Sequence, residues 1–532
     1  MAATVGGAVI PFRLRLRRRE QGIVLAVAGL VLCVAALLPL VALAAELLSV
    51  GTDGLRLWAE RRTWVLLGRS LLLSGVVTAV ALAIGIPLGV LFGRTDVPGR
   101  HLAWLLHAFP MFLPPFLLAL GWFHLFGRQG FLGGDATARV LFSEFGLIAL
   151  LGLTFAPAVT SLVALGVLGV DPSLEEAART TARPWRVATR ILLPAAWPAV
   201  ALAAVVVSAL AFSELGVPMF LRVEVFQTAV FARLGGVDYA PGEAIALLLP
   251  LVPVSIALLG LEAWLAGRRS FEVLGMRVRS RLPLPLRRWR LPASIVCWLA
   301  ALFSIAPVLS LAARAAWGGG FRAASQWLRL APINGLIAAT ASACIILFVG
   351  VVVGHAVARR SRAARWFDAL AVLAFVTPAS VLGVGIIAVW NRTATQIVYG
   401  TLAILVVGFV ARYSVVGVRV FASVVAQTPA HLEAAAAAAG VGYGRRLARI
   451  VLPLGARGAA FAWLLAFVFC LRDLETAVLY YPPGREPLTV RIFTLEANGP
   501  EPVVAALGVL HVGITATVAA VGFLLLRRKA PA

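Results

Sequence analysis

The sequence predicts an all-α polytopic membrane protein of twelve transmembrane helices, arranged as two tandem six-helix repeats. Three observations lead there. Hydrophobic residues make up 61% of the 532-residue chain and charged residues only 13%, roughly half the charge of a soluble domain. Apolar runs of about 20 residues recur along its length, each long enough to cross a ~30 Å hydrocarbon core as a helix. Two polar, arginine-rich islands, Asp171 to Pro194 and Thr428 to Pro453, interrupt those runs, and Ile191, Leu193 and Pro194 recur as Ile450, Leu452 and Pro453 at a constant offset of 259.

The first six spans are expected near residues 22–45, 69–92, 102–126, 146–169, 196–220 and 243–266. The second six are expected near 291–313, 334–357, 367–389, 399–421, 456–479 and 502–526. Arg13, Arg15, Arg17, Arg18 and Arg19 precede the first run, as in a signal peptide. The run from Gly22 to Leu48 is too long for a signal core and has no distinct polar cleavage region, so it reads as a retained first span. The boundary between repeats falls in the basic, proline-containing stretch around 268–290, dividing the chain into 1–274 and 275–532.

The net charge of +24 could suggest nucleic acid, but the arginines sit in short connections between spans, as the positive-inside rule expects of cytoplasmic loops. Arg94 and Arg100, the first island, Arg268 through Arg290, Arg359 through Arg365, the second island, and Arg527 with Arg528 all follow even-numbered spans. The opposite connections are mixed or acidic, with Glu46, Asp53, Glu60, Glu224, Asp238, Glu486, Glu496 and Glu501 offsetting their arginines. Both termini and both islands are therefore expected in the cytoplasm. An even number of spans per repeat makes the repeats parallel.

Smaller features repeat too. Gly85 and Gly89 match Gly350 and Gly354, and Pro114 and Gly121 match Pro378 and Gly385. The glycine pairs allow close helix approach, with ordinary packing the leading reading. The prolines should break backbone hydrogen bonds in the middle of the third and ninth spans. Cys33, Cys297, Cys344 and Cys470 lie within apolar runs at no ligand-like spacing and read as small buried residues. The six histidines are scattered, so no metal site and no membrane-embedded enzyme centre is expected.

Each island should form a short helix, a turn and a basic segment. Asp171 or Ser173 can cap the first helix, with Glu175 and Glu176 in its opening turn, where the helix dipole favours anions. Ala434 to Ala439 is strongly helix-forming, and Gly440 supplies a turn after it. This pattern resembles the EAA loop of ABC transporter permeases, the membrane subunits of binding-protein-dependent importers. The family pattern is Glu-Ala-Ala, three residues, Gly, nine residues, Ile, one residue, Leu-Pro. Here the first copy reads Glu176-Ala177-Ala178 with one residue fewer before Ile191 and no glycine. The second reads Glu433-Ala434-Ala435, correctly spaced from Gly440 onward but with its glutamate one residue early.

The resemblance implies a permease whose EAA helices couple to two separate ABC ATPase subunits, with a periplasmic or lipid-anchored binding protein delivering substrate, in a bacterial cytoplasmic (inner) membrane. It implies coupling roles for Glu175, Glu176, Ala177, Ala178, Arg183, Arg186 and Pro194, and for Glu433, Ala434, Ala435, Gly440, Arg445, Arg446 and Pro453. No cofactor is expected on this chain, since ATP belongs to the partner. No G-x-x-x-x-G-K-[ST] motif occurs, and the only lysine is Lys529, so no P-loop is present. The fused two-repeat layout resembles ferric-iron permeases most, with thiamine, polyamine, molybdate and phosphonate permeases as alternatives.

Glu214 and Asp473 follow the closing prolines of the two islands at equal distances and are candidate pathway residues, because ionisable groups at membrane depth are costly. Asp473 could instead pair with its neighbour Arg472. A secondary transporter of the major facilitator type would also have twelve spans in two halves. The stretch from Gly93 to Arg100 resembles one of that family's loops, but that family has no counterpart to the two islands.

Overall fold

A computed structural model describes residues 9–49, 58–235, 246–248, 250–267 and 283–528. The regular elements among them are helices, apart from one isolated bridge pairing Thr95 with Leu284. Among the described residues, seven helices are long and apolar enough to cross a membrane: Glu20–Glu46, Arg61–Arg94, Glu144–Leu168, Arg287–Trp317, Ala331–Ala358, Ala403–Ala426 and Glu501–Leu525. Four further spans are bent pairs, giving up to eleven in all. The expected sixth span, 243–266, lies partly outside the described residues. Its described residues are 246–248 and 250–266, most of them in the apolar helix Leu251–Gly267. Apolar side chains such as Leu30, Leu72, Ile295 and Leu525 are exposed around the outside, as a lipid-facing surface requires.

The expected kinks are much sharper than a bend in a continuous helix. Arg100–Phe112 and Pro115–Phe126 meet at 110°, and Arg362–Val376 and Ala379–Trp390 meet at 109°. Leu113 and Thr377 occupy the extended region just before Pro114 and Pro378, where a following proline disfavours helix. Nearly equal angles at equivalent positions show that the duplication extends to the backbone path.

The fifth and eleventh spans bend as well. Pro184–Ala195 joins Trp197–Ser213 at 65°, and Tyr443–Leu454 joins Ala456–Arg472 at 87°. Each lead-in segment carries one π-helical turn, Ala188–Leu192 or Leu447–Val451. Those turns recur at the same offset as the island endings.

The glycine pairs pack helices together. A Cβ on Gly85 or Gly89 would strike Val159 or Val163 of the fourth span. On Gly350 or Gly354 it would strike Gly417 or Val418 of the tenth. This is the packing reading.

The first and seventh spans cross over to the opposite repeat. Pro39 in the first span puts its carbonyl against Gly385 in the ninth. Pro307 in the seventh puts its carbonyl against Gly121 in the third. Of the four cysteines, Cys297 and Cys470 are buried and Cys33 is half-buried, but Cys344 is exposed, so it is not the buried residue its apolar run suggested.

Candidate functional site

Each island is a short helix, a turn and a second helical segment leading into a span. The first helix is Pro172–Thr181, with a proline at its start, where the missing N–H costs nothing. The second is Ala430–Ala438. Gly440 follows it at φ 92°, a left-handed conformation that glycine adopts without penalty. The first copy has no such glycine. Its helix runs to Thr181 and enters the next segment at Pro184 through a shorter turn, which accommodates its different spacing.

Both helices are braced at the same point. The Glu175 side chain is 2% exposed and accepts hydrogen bonds from Arg94 and, at 2.6 Å, from Arg179. Glu433 accepts from Arg359 at 2.5 Å and 3.1 Å, and lies 2.7 Å from His355 Nε2. Arg94 is the last residue of the second span, and Arg359 immediately follows the eighth. Each island is thus tied by a carboxylate to the end of its repeat's second span.

Glu176, by contrast, is exposed. Glu175 stands as far ahead of Ile191 as the EAA pattern places its glutamate ahead of its isoleucine. The sequence therefore held the signal that Glu175 is the counterpart of Glu433. Sequence alone shows Arg94, His355 and Arg359 only as topology markers or scattered residues, because nothing local links them to islands much further along the chain.

The second brace has an additional contact. Glu20, at the start of the first span, accepts from the Tyr443 backbone N–H at 2.9 Å. On the first side, Leu284 N–H donates to the Arg94 carbonyl at 2.7 Å. This ties the approach to the seventh span to the same residue that holds Glu175.

Burial by itself would raise the Glu433 pKa, but hydrogen bonds from Arg359 and His355 outweigh it and hold the carboxyl below its usual 4.5. A depressed carboxyl contributes stability above its unfolded pKa and loses it as pH falls through the folded value. The helix Ala430–Ala438 is therefore expected to stay docked down to about pH 4.5 and to loosen below it. A fluorine label on Ala436→Cys would report this as line narrowing confined to the acid range.

The outward faces of the two helices are small and apolar. Ala177, Ala434 and Ala435 are exposed, and the matched leucines Leu174 and Leu432 are 57% and 39% exposed. Arg183, Arg186 and Arg445 are also exposed, as are Pro194 and Pro453. Ala178 and Arg446 are half-buried. Solvated loops do not need matched leucines. The two helices thus present a matched apolar patch rimmed by arginine.

Glu214 and Asp473 end the long helices of the fifth and eleventh spans. They come together in one buried cluster with Arg412, Tyr413, Arg472 and Glu475, around a cavity of about 20 Å³. Asp473 accepts from Tyr413 Oη at 2.9 Å, and from Thr476 N–H at 2.9 Å and its hydroxyl at 2.5 Å. Among the described residues it forms no ion pair with Arg472. Glu475 instead accepts from Arg412 at 2.5 Å. The cluster is one-sided: the first-repeat counterparts of Arg412, Arg472 and Glu475 are Thr154, Ser213 and Gly216. Only Glu214 answers from that repeat.

Comparison with known proteins agrees with this architecture. Residues 85–271 match the family model described as "Binding-protein-dependent transport system inner membrane component". A putative ferric transport system permease protein of Haemophilus influenzae is 24% identical over 77% of this chain and 69% of its own length. A ferric transport system permease protein of Actinobacillus pleuropneumoniae is 22% identical over 83% of this chain and 68% of its own. A molybdate/tungstate transport system permease protein of Thermococcus kodakarensis is 28% identical over 38% of this chain and 78% of its own.

Proposed function

We propose that this chain, a permease of the binding-protein-dependent ABC importer family, forms the whole translocation pathway of a ferric-iron importer from two fused repeats, residues 1–274 and 275–532. The observation that carries the coupling role is the pair of braced island helices with matched exposed leucine and alanine faces. Each fits a cleft of one of two ABC ATPase subunits. Closure of the ATPase dimer would draw the two helices together. The Arg94–Glu175 and Arg359–Glu433 braces would pass that movement to the second and eighth spans.

With both islands cytoplasmic, the chain lies in the bacterial inner membrane with both termini inside and twelve spans, the sixth of them at 243–266. Substrate would arrive at the outer face from a periplasmic or lipid-anchored binding protein and pass the cluster around Glu214 and Asp473. No cofactor is assigned to this chain.

Iron is favoured over molybdate because the ferric permeases align along both repeats, whereas the molybdate/tungstate permease covers little more than one third of this chain. The test is copurification and uptake. The tagged chain expressed in its own host should pull down an ABC ATPase. It should also accumulate radioactive iron and leave molybdate outside. An ATPase that fails to copurify would overturn the coupling reading. Uptake of molybdate alone would overturn the substrate.

A further inference from the structure

The cluster between the repeats has a feature that neither repeat shows alone. Arg472, from the second repeat, donates to the carbonyl of Met111, in the broken third span of the first. Glu475, also from the second repeat, lines the same cavity as Glu214 of the first. Separating the two repeats would strand Arg472 without its carbonyl.

The place suits a gate. Trp197–Ser213 has 17 residues and rises ~25 Å, so Glu214 stands at the end of the ~30 Å core remote from the islands. The cavity beside it, about 20 Å³, has room for roughly one water molecule. The broken third span brings Pro114, Pro115 and Phe116 to the same cavity. Gly216 lies against Leu474 and Phe116, and a Cβ there would press on both.

We propose that Arg472 on Met111, with Glu214 and Glu475 lining the cavity beside it, is a latch that holds the outer end of the pathway shut. This rests on the permease reading given above. A side chain of one repeat grips the backbone of the other, and acids of both repeats line the cavity beside it, so the closed state is specified by polar groups rather than by apolar packing alone. A latch made in only one of two states biases the equilibrium toward that state, and removing it shifts the population.

The test uses the purified full chain in lipid nanodiscs, without ATPase or substrate, so its outcome is separable from any failure of the transport reading. The four native cysteines are replaced by serine and Leu474, 5% exposed beside the cavity, becomes cysteine. A water-soluble maleimide should label this protein slowly. Adding Arg472→Ala or Glu214→Ala should speed labelling at least about tenfold, a shift of about 1.4 kcal/mol. Arg472→Lys, which keeps a donor for Met111, and Glu214→Gln, which keeps an acceptor for the Val217 N–H and a polar group of the same size at the cavity, should stay slow. Labelling in both alanine variants within about twofold of the parent, with elution unchanged, overturns the latch. So does equally fast labelling in the lysine and glutamine variants, since general loosening would not respect the hydrogen-bonding group.

Discussion

Replacing Glu175 and Glu433 together by alanine is expected to abolish uptake while leaving the permease inserted in the membrane. The two sites differ in how much each change costs. Arg94 and Glu175 have side chains 4% and 2% exposed. Removing the acid leaves a buried guanidinium with no carboxylate, which typically costs ~3–5 kcal/mol. Arg359 and Glu433 are 23% and 13% exposed, so water can take over part of the lost bond and the second change costs less. Proteolysis in the islands should therefore rise more for Glu175→Ala than for Glu433→Ala.

Loss of uptake would also follow if the glutamates touched the ATPase directly. Charge exchange separates the two cases. Arg94→Glu with Glu175→Arg rebuilds the brace with its polarity reversed and should recover much of the uptake, whereas a direct ATPase contact would stay broken. Glu176→Ala completes the comparison. Its side chain is exposed and outside the brace, so the brace should survive. Strong uncoupling in that variant would assign the contact to Glu176 instead.

What the sequence made visible follows from where the chemistry is local. The islands and the breaks at Pro114 and Pro378 rest on short patterns repeated at nearly the same offset, 259 for the islands and 264 for the prolines, so the repeated backbone path could be anticipated. The choice between Glu175 and Glu176 was also legible, but only by counting back from Ile191 rather than matching Glu-Ala-Ala. The braces were not legible. Arg94 and Arg359 look like any arginine at a cytoplasmic span end, and only folding brings them to the island helices. The cluster was half visible. Glu214 and Asp473 stood out as matched acids, while Arg412, Glu475 and Thr476 have no repeat counterpart of the same type to draw attention to them. Three-dimensional proximity also changed the reading of Asp473, whose partners are Tyr413 and Thr476 rather than its chain neighbour.

The crossing of the first and seventh spans leads to the second large expected effect. Gly121 and Gly385 looked like small-residue positions within broken spans, yet each is where a proline carbonyl from the opposite repeat's exchanged helix comes closest. A Cβ on Gly121 would be driven into the Pro307 carbonyl, and one on Gly385 into that of Pro39. Backbone of a packed transmembrane helix cannot swing aside as a flexible side chain can, and overpacking of this kind costs ~1–3 kcal/mol per site. The Gly121→Val, Gly385→Val double variant should therefore lower the thermal midpoint in detergent well beyond either single change. The geometry itself can be read in parallel. Paired cysteines at 39 and 385, or at 307 and 121, should cross-link in the folded protein, because the exchange puts each proline on the other repeat's glycine. Pairs at 39 and 121, or at 307 and 385, should remain open. Efficient cross-linking of those same-repeat pairs would mean that the first and seventh spans stay with their own halves. The brace from Glu20 to Tyr443 and the contact of Leu284 with Arg94 would then lose their structural basis, since both depend on the exchanged helices passing beside the opposite repeat.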